Sequence, residues 1–317
     1  MDIQNISRNY VIVSVKPTYL DKQIVSDLAV PLLAFSINLS LILLTLLKEP
    51  FKSAVGVRNV VLLQCFGGLF YTSFKLVTFI SAFIWTKYKI KFSILVSTFY
   101  VQFNMFLYNF NYSVPSIITY WRFILIMFHR ETSIYENIAV GIFTLLFNFV
   151  SLIHTTFFAT NMYPNSMFTA FYTYGSILEE IFPWFDMAPQ IISGSIAFIL
   201  NIILLVKIRI EKKKTALNKK NASGEISLTV NLLFHTIMPL ILILYANIYY
   251  SLLFFAGMES VVAEMVYDYM ELFYLVICPV SLVLFIELYR RFFFSLYYDK
   301  KMNNKVSVKI SYTKTIA

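Results

Sequence analysis

Ionisable and amide side chains set into long apolar stretches are the places where this 317-residue chain could do chemistry. Lys75 interrupts one apolar run roughly 24 Å from that run's basic end, at about 1.5 Å of helix rise per residue. Two readings stand for it: snorkelling to the nearer aqueous surface, or answering the charge of Glu271 or of an anionic ligand. The charge-free stretch 93–121 carries Gln102, Asn104, Asn109, Asn111, Ser113 and Ser116. Gln102 and Asn109 are seven apart, as are Asn104 and Asn111, so each pair falls near one helical face. Such amides either bond across to neighbouring helices or line a ligand cavity among Tyr100, Phe103, Phe106 and Tyr108. Arg122 closes the stretch, as basic residues ordinarily do at the end of a span. Further on, Lys207 to Lys220 form a basic segment that includes Lys212, Lys213 and Lys214. It suits anionic lipid, at about 1 kcal/mol per residue near such a surface, and equally an intracellular partner.

Catalytic patterns are missing. His129, His154 and His235 lie on three different segments, without the paired histidines and intervening Glu of a metallohydrolase. No Gly-x-Ser-x-Gly elbow and no Gly-x4-Gly-Lys phosphate loop occur. The reading is therefore no enzyme, no metal and no cofactor. Cys65 and Cys278 both fall inside apolar runs and imply no disulfide framework.

The elements that must position these residues follow from composition. Hydrophobic residues make up 59% of the chain and charged ones 14%, where soluble proteins have about half and a quarter. That excludes disorder and points to lipid. A net charge of +9 could suggest nucleic acid, but the basic residues sit between apolar runs and do not form a face on a polar fold. A span needs about 20 mainly apolar residues, and stretches between charges predict seven helices, at 28–47, 59–82, 97–121, 138–160, 187–206, 232–256 and 267–286. The last is the shortest between its flanking charges, Glu271 and Glu287. The first 23 residues lack an apolar core of signal-peptide length, so the first span would serve as its own insertion signal. No internal repeat of the transporter kind is visible.

Lys and Arg orient the bundle. Nineteen of the 26 fall on one set of connections and six on the other, with Lys75 apart. The expected class is an all-α membrane protein, a seven-transmembrane bundle over 24–289. Its tail 1–23 is outside and its tail 290–317 is in the cytoplasm, and an odd number of spans is required. Asn5, in Asn5-Ile6-Ser7, is then the one glycosylation acceptor exposed on the outer side.

This layout resembles a G-protein-coupled receptor. Asn38 in the first helix and Pro279 in the seventh resemble that superfamily's polar and kink positions. Arg122-Phe123, Phe128-His129-Arg130 and Tyr135-Glu136-Asn137-Ile138 are similar to the third-helix end and second inner loop of nematode serpentine chemoreceptors of the Srg type. So are Cys278-Pro279, Leu282-Val283-Leu284-Phe285 and Tyr289-Arg290-Arg291. Departures are plain as well. Trp121 stands where many receptors carry an acid or amide, so Arg122 cannot pair with its immediate neighbour, and Pro279 lacks the Asn-Pro-x-x-Tyr context. The resemblance implies a plasma-membrane receptor, in sensory cilia of neurons, binding a small-molecule or odorant cue in the outer half of the bundle. Lys75, Gln102, Asn104, Asn109 and Glu271 would be pocket groups, and Arg122 with Lys212, Lys213 and Lys214 would face a heterotrimeric G protein. The alternative is a polytopic transporter or channel.

Overall fold

An apolar stretch away from water must satisfy its own backbone N–H and C=O groups, and the α-helix does so within one segment. The computed structural model describes residues 10–12, 28–88, 91–158, 161–164, 169–172, 177–214, 219–256 and 261–302. Among the described residues seven helices have 18 residues or more: α1 (Val30–Leu47), α2 (Val55–Tyr88), α3 (Ile94–Phe128), α4 (Ile134–Phe158), α5 (Ile177–Lys214), α6 (Lys219–Ala256) and α7 (Val261–Phe285). A shorter α8 (Glu287–Met302) leaves α7 at 84°.

Most of these helices outrun the charge-free stretches, because a helix does not stop where charge begins. α5 starts near Glu179 and Glu180 and ends at Lys212, Lys213 and Lys214, the polarity that complements the helix dipole. α4 begins with a reciprocal capping box. The Ser133 N–H donates to Glu136 Oε2 at 2.8 Å, and the Glu136 N–H donates to Ser133 Oγ at 3.2 Å. That backbone donor, with Arg130 at 2.7 Å, holds the Glu136 carboxyl below its ordinary range.

By length and composition, four described stretches can cross a membrane: Val30–Leu47, Val55–Ser81, Gln190–Glu211 and Gly224–Ala246. The bent pair Tyr269–Phe285 and Glu287–Ser295 makes a fifth if taken together. The distribution of side chains fits lipid around them. Asn38, Gln64, Asn201, Asn231 and His235 are buried, while Leu47, Phe143 and Ile248 are well exposed, the reverse of a soluble fold.

Helix directions follow from packing. Ala34 shares a cluster with Tyr71, whereas Leu41 and Ile42 share one with Val60 and Val61, so α1 and α2 are antiparallel. Phe74 meets Phe103 and Tyr71 meets Tyr108, so α3 turns back again. Asn201 bonds Thr119 and Lys207 reaches Ile126, so α5 runs with α3. α6 and α7 are antiparallel, with Asn231 at Ser281 and Tyr245 at Ala263. Consequently Lys48, Lys52, Arg58, Arg122, Arg130, Lys207, Arg209, the end of α5 and the start of α8 all collect at one basic end. There Phe51 packs on Tyr289 and Phe292 at 4.3 and 5.1 Å, and Tyr289 shares a 2.5 Å hydrogen bond with Thr45, seating α8 on α1.

The opposite end adds something to the expected all-α fold. Two short antiparallel ladders form there, because backbone that leaves a helix needs other partners. β1 (Tyr10–Ile12) pairs with β2 (Lys91–Ser93), and β3 (Asn161–Pro164) with β4 (Thr169–Tyr172).

Gly68 lets α1 and α2 approach. A Cβ there would lie 3.0 Å from Asn38 Nδ2 and 3.1 Å from Oδ1, and that amide is held by its bond to the Ala34 carbonyl. Gly68→Ala should therefore lower the thermal midpoint of the purified protein, by about 1–3 kcal/mol of overpacking. Gly56→Ala, with open space around it, should be neutral or raise it through better helix propensity. Equal midpoints for the two variants would contradict this packing.

Candidate functional site

Three helix faces converge in the half of the bundle away from the basic end. α2 contributes Tyr71 and Lys75, one turn apart. α3 contributes Asn104, Tyr108 and Tyr112, and α7 contributes Tyr267, Glu271 and Tyr274, all at helical i, i+3 or i+4 spacing. Glu271 Oε1 is the hub. It accepts from the Tyr71 hydroxyl at 2.5 Å and from Lys75 Nζ at 3.0 Å. The Lys75 and Glu271 side chains are only 15% and 13% exposed, so each charge depends on the other. The ammonium also lies 5.8 Å from the centre of the Tyr71 ring, within cation–π range. Next to it Tyr108 and Tyr267 share a hydroxyl–hydroxyl bond of 2.8 Å. The rings continue inward: Tyr71 to Tyr108 at 5.7 Å, Tyr108 to Tyr112 at 4.1 Å and Tyr112 to Tyr274 at 5.0 Å. Asn104 Oδ1, buried, has no hydrogen-bond partner among the described residues.

Of the two sequence readings of Lys75, the structure places it in the ion pair with Glu271. Asn104 shares the face of Tyr108 and Tyr112. Gln102 and Asn109 are buried but lie on another face of α3, the one carrying Phe106, whose ring meets Phe149 of α4 at 6.2 Å. The tyrosines escaped the sequence reading because aromatic residues are abundant on every helix. The signal that could have found them is their i, i+4 spacing from the two charges.

A second cluster occupies the basic end. Arg122 is 3% exposed, and its guanidinium donates to Glu225 Oε2 at 2.5 Å and to Thr229 Oγ1 at 3.1 Å, both on α6. Glu225 itself is 49% exposed, so the buried charge of α3 is answered at the rim. Close by, Lys207 of α5 donates to the Ile126 carbonyl at 3.0 Å and the Met127 carbonyl at 3.4 Å. These are last-turn carbonyls of α3 that lack intrahelical partners, and a lysine complements the negative end of the helix. α3 is thus tied at its base to both α5 and α6. Lys212, Lys213 and Lys214 form the last residues of α5 at this same end. Asn5 lies outside the described residues.

Between the two clusters, α6 and α7 share a buried polar knot. His235 Nε2 and Ser281 Oγ are 2.7 Å apart, His235 Nδ1 and Cys278 Sγ 3.1 Å, and Asn231 Nδ2 donates to Ser281 Oγ at 3.1 Å. Among the described residues no group of three His, Cys, Asp or Glu side chains is placed to hold a metal ion.

The chain matches no protein-family model and no curated protein sequence.

Removing one partner of the Lys75–Glu271 pair strands the other charge. Lys75→Met and Glu271→Gln should each lower the stability of the purified protein by about 3 kcal/mol, while the double variant should lose less than either single one. A thermal-melt double-mutant cycle with simply additive losses would show that the pair is not coupled.

Proposed function

We propose that this chain is a seven-helix plasma-membrane receptor, chemosensory in role, that binds a small extracellular cue and signals through a heterotrimeric G protein. The observation that carries the reading is the arrangement of two charged clusters on shared helices. A Lys–Glu–Tyr cluster joins α2, α3 and α7 in one half, and an Arg–Glu–Thr clasp joins α3 to α6 at the basic end. By the positive-inside rule the basic end faces the cytoplasm, which puts the Lys75–Glu271 cluster on the side that meets an extracellular ligand.

In this reading the clasp is the element with two states. With Arg122 bound to Glu225 and Thr229, the bases of α3 and α6 are held together. With the clasp open, α6 is released, and Arg122 faces the protein docked among Lys212, Lys213 and Lys214. A ligand shifts the balance only by binding one state better than the other. Reorganising Glu271, Tyr108 and Tyr267 would do that, because α3 and α7 each run from the ligand cluster to the inner half. The chemosensory role itself rests on the sequence resemblance.

A transporter is the second reading, favoured by the part-buried Lys75 and Glu271 and the buried His235 along one bundle, since intramembrane ionisable residues mark transport paths. Ligand-driven flux into proteoliposomes without G protein would establish it over the receptor.

Three outcomes are expected in transfected cells. Tags at the two termini should report opposite compartments on intact and permeabilised cells. Arg122→Ala should reach the surface and lose coupling. Glu225→Gln should raise basal activity about fivefold, since a pair with one half-exposed partner is worth on the order of 1 kcal/mol. Both tags in one compartment, or normal signalling by Arg122→Ala, would overturn the receptor reading.

A further inference from the structure

The ligand cluster already holds an ammonium group, and that group belongs to the protein. Lys75 Nζ sits 3.0 Å from Glu271 Oε1 and 5.8 Å from the centre of the Tyr71 ring. A carboxylate and an aromatic face are the two features that recognise a protonated amine. Around this position Tyr108 and Tyr267 contribute hydroxyls, and Asn104 Oδ1 stands without a partner among the described residues. An unpaired buried acceptor carries a cost that a ligand donor would relieve.

We propose that this cluster is an amine site. It takes a small ligand with a protonated primary amine on an aromatic or apolar body, and the Lys75 ammonium occupies the position until such a ligand displaces it. The inference rests on the cluster being the ligand site, and it adds the chemical class.

The choice of a cation over an anion follows from which member of the pair can leave. Glu271 has a short side chain and is held by both Tyr71 and Lys75. An entering anion would have to dislodge it or share a buried position with it, a like-charge contact in an apolar setting. Lys75 sits on a flexible four-carbon stem and can carry its ammonium along α2 to the outer surface. An entering amine therefore leaves Glu271 and Tyr71 in place and inherits their bonds, and the displaced lysine is solvated. Tyr71, Tyr108, Tyr112 and Tyr274 then flank the ligand's apolar body. Because Lys75 competes for the position, the apparent affinity is reduced by the fraction of time the lysine is away.

The test uses the full-length protein in lipid nanodiscs without G protein, with thermal stabilisation as the readout. The probes are 2-phenylethylamine, 2-phenylethanol and phenylacetate, which share a ring and a two-carbon frame and differ in charge. The amine alone should stabilise the wild type. Lys75→Met should bind it at least about tenfold more tightly, because the internal competitor is gone, and Glu271→Gln should lose stabilisation at the same concentrations. Tyr71→Phe guards against misfolding of the charge variants. It keeps the ring and should weaken amine binding severalfold. Stabilisation by phenylacetate in place of the amine, weaker amine binding in Lys75→Met, or no stabilisation by any probe would each overturn the amine class. Amine binding without any signalling response in cells would leave this inference standing and count against the receptor reading instead.

Discussion

A charge buried among apolar helices must find its counter-charge on another helix, and in this protein that requirement sets which helices are neighbours. Lys75 on α2 is paired with Glu271 on α7, and the nearly inaccessible Arg122 on α3 with Glu225 and Thr229 on α6. Neither pair gains much net energy, since desolvation offsets attraction. Their consequence is register. If α2 slid against α7, a largely buried charge would be left alone at a cost of several kcal/mol, and a slip of α3 against α6 would cost less because Glu225 is half exposed.

The neutral polar groups obey the same constraint at lower stakes. Asn38 bonds back to the Ala34 carbonyl and rests on Gly68. Asn201 bonds Thr119, and Asn231 and His235 meet Ser281. These contacts tie α1 to α2, α5 to α3 and α6 to α7 without the hydrophobic drive that operates in water, where apolar surface is hidden from solvent. Leu, Ile and Phe turn outward because nothing is gained by hiding them from lipid. α3, which contributes to both clusters, therefore connects the Lys75–Glu271 half of the bundle to its basic end through a polar interior. A chain of paired groups with two arrangements can transmit a change between sites.

Much of this was legible in the order of residues. Among the described residues the seven apolar stretches correspond to seven long helices, of which four stand as spans on length and composition alone, with a bent fifth. The basic residues were expected on alternate connections, and they do collect at one end of the bundle. Lys75 and Glu271 were singled out as candidates, with their pairing one of two readings. The polar series on α3 was legible only as a periodicity. Its seven-residue spacing showed that Gln102 and Asn109 share a face, but not which neighbour that face meets; it also carries Phe106, whose ring meets Phe149 of α4. Glu225 was passed over because an acid just ahead of an apolar run reads as solvated.

Helix positions and the sorting of charge to one end are local properties, fixed by how many apolar residues stand in a row and where Lys and Arg interrupt them. The sequence determined those without reference to any distant residue. Which polar side chains meet depends on the rotation of each helix about its own axis, and that angle is set by packing against all its neighbours at once. Only the tertiary structure could bring Lys75 to a carboxylate 196 positions away, or Arg122 to one 103 positions away.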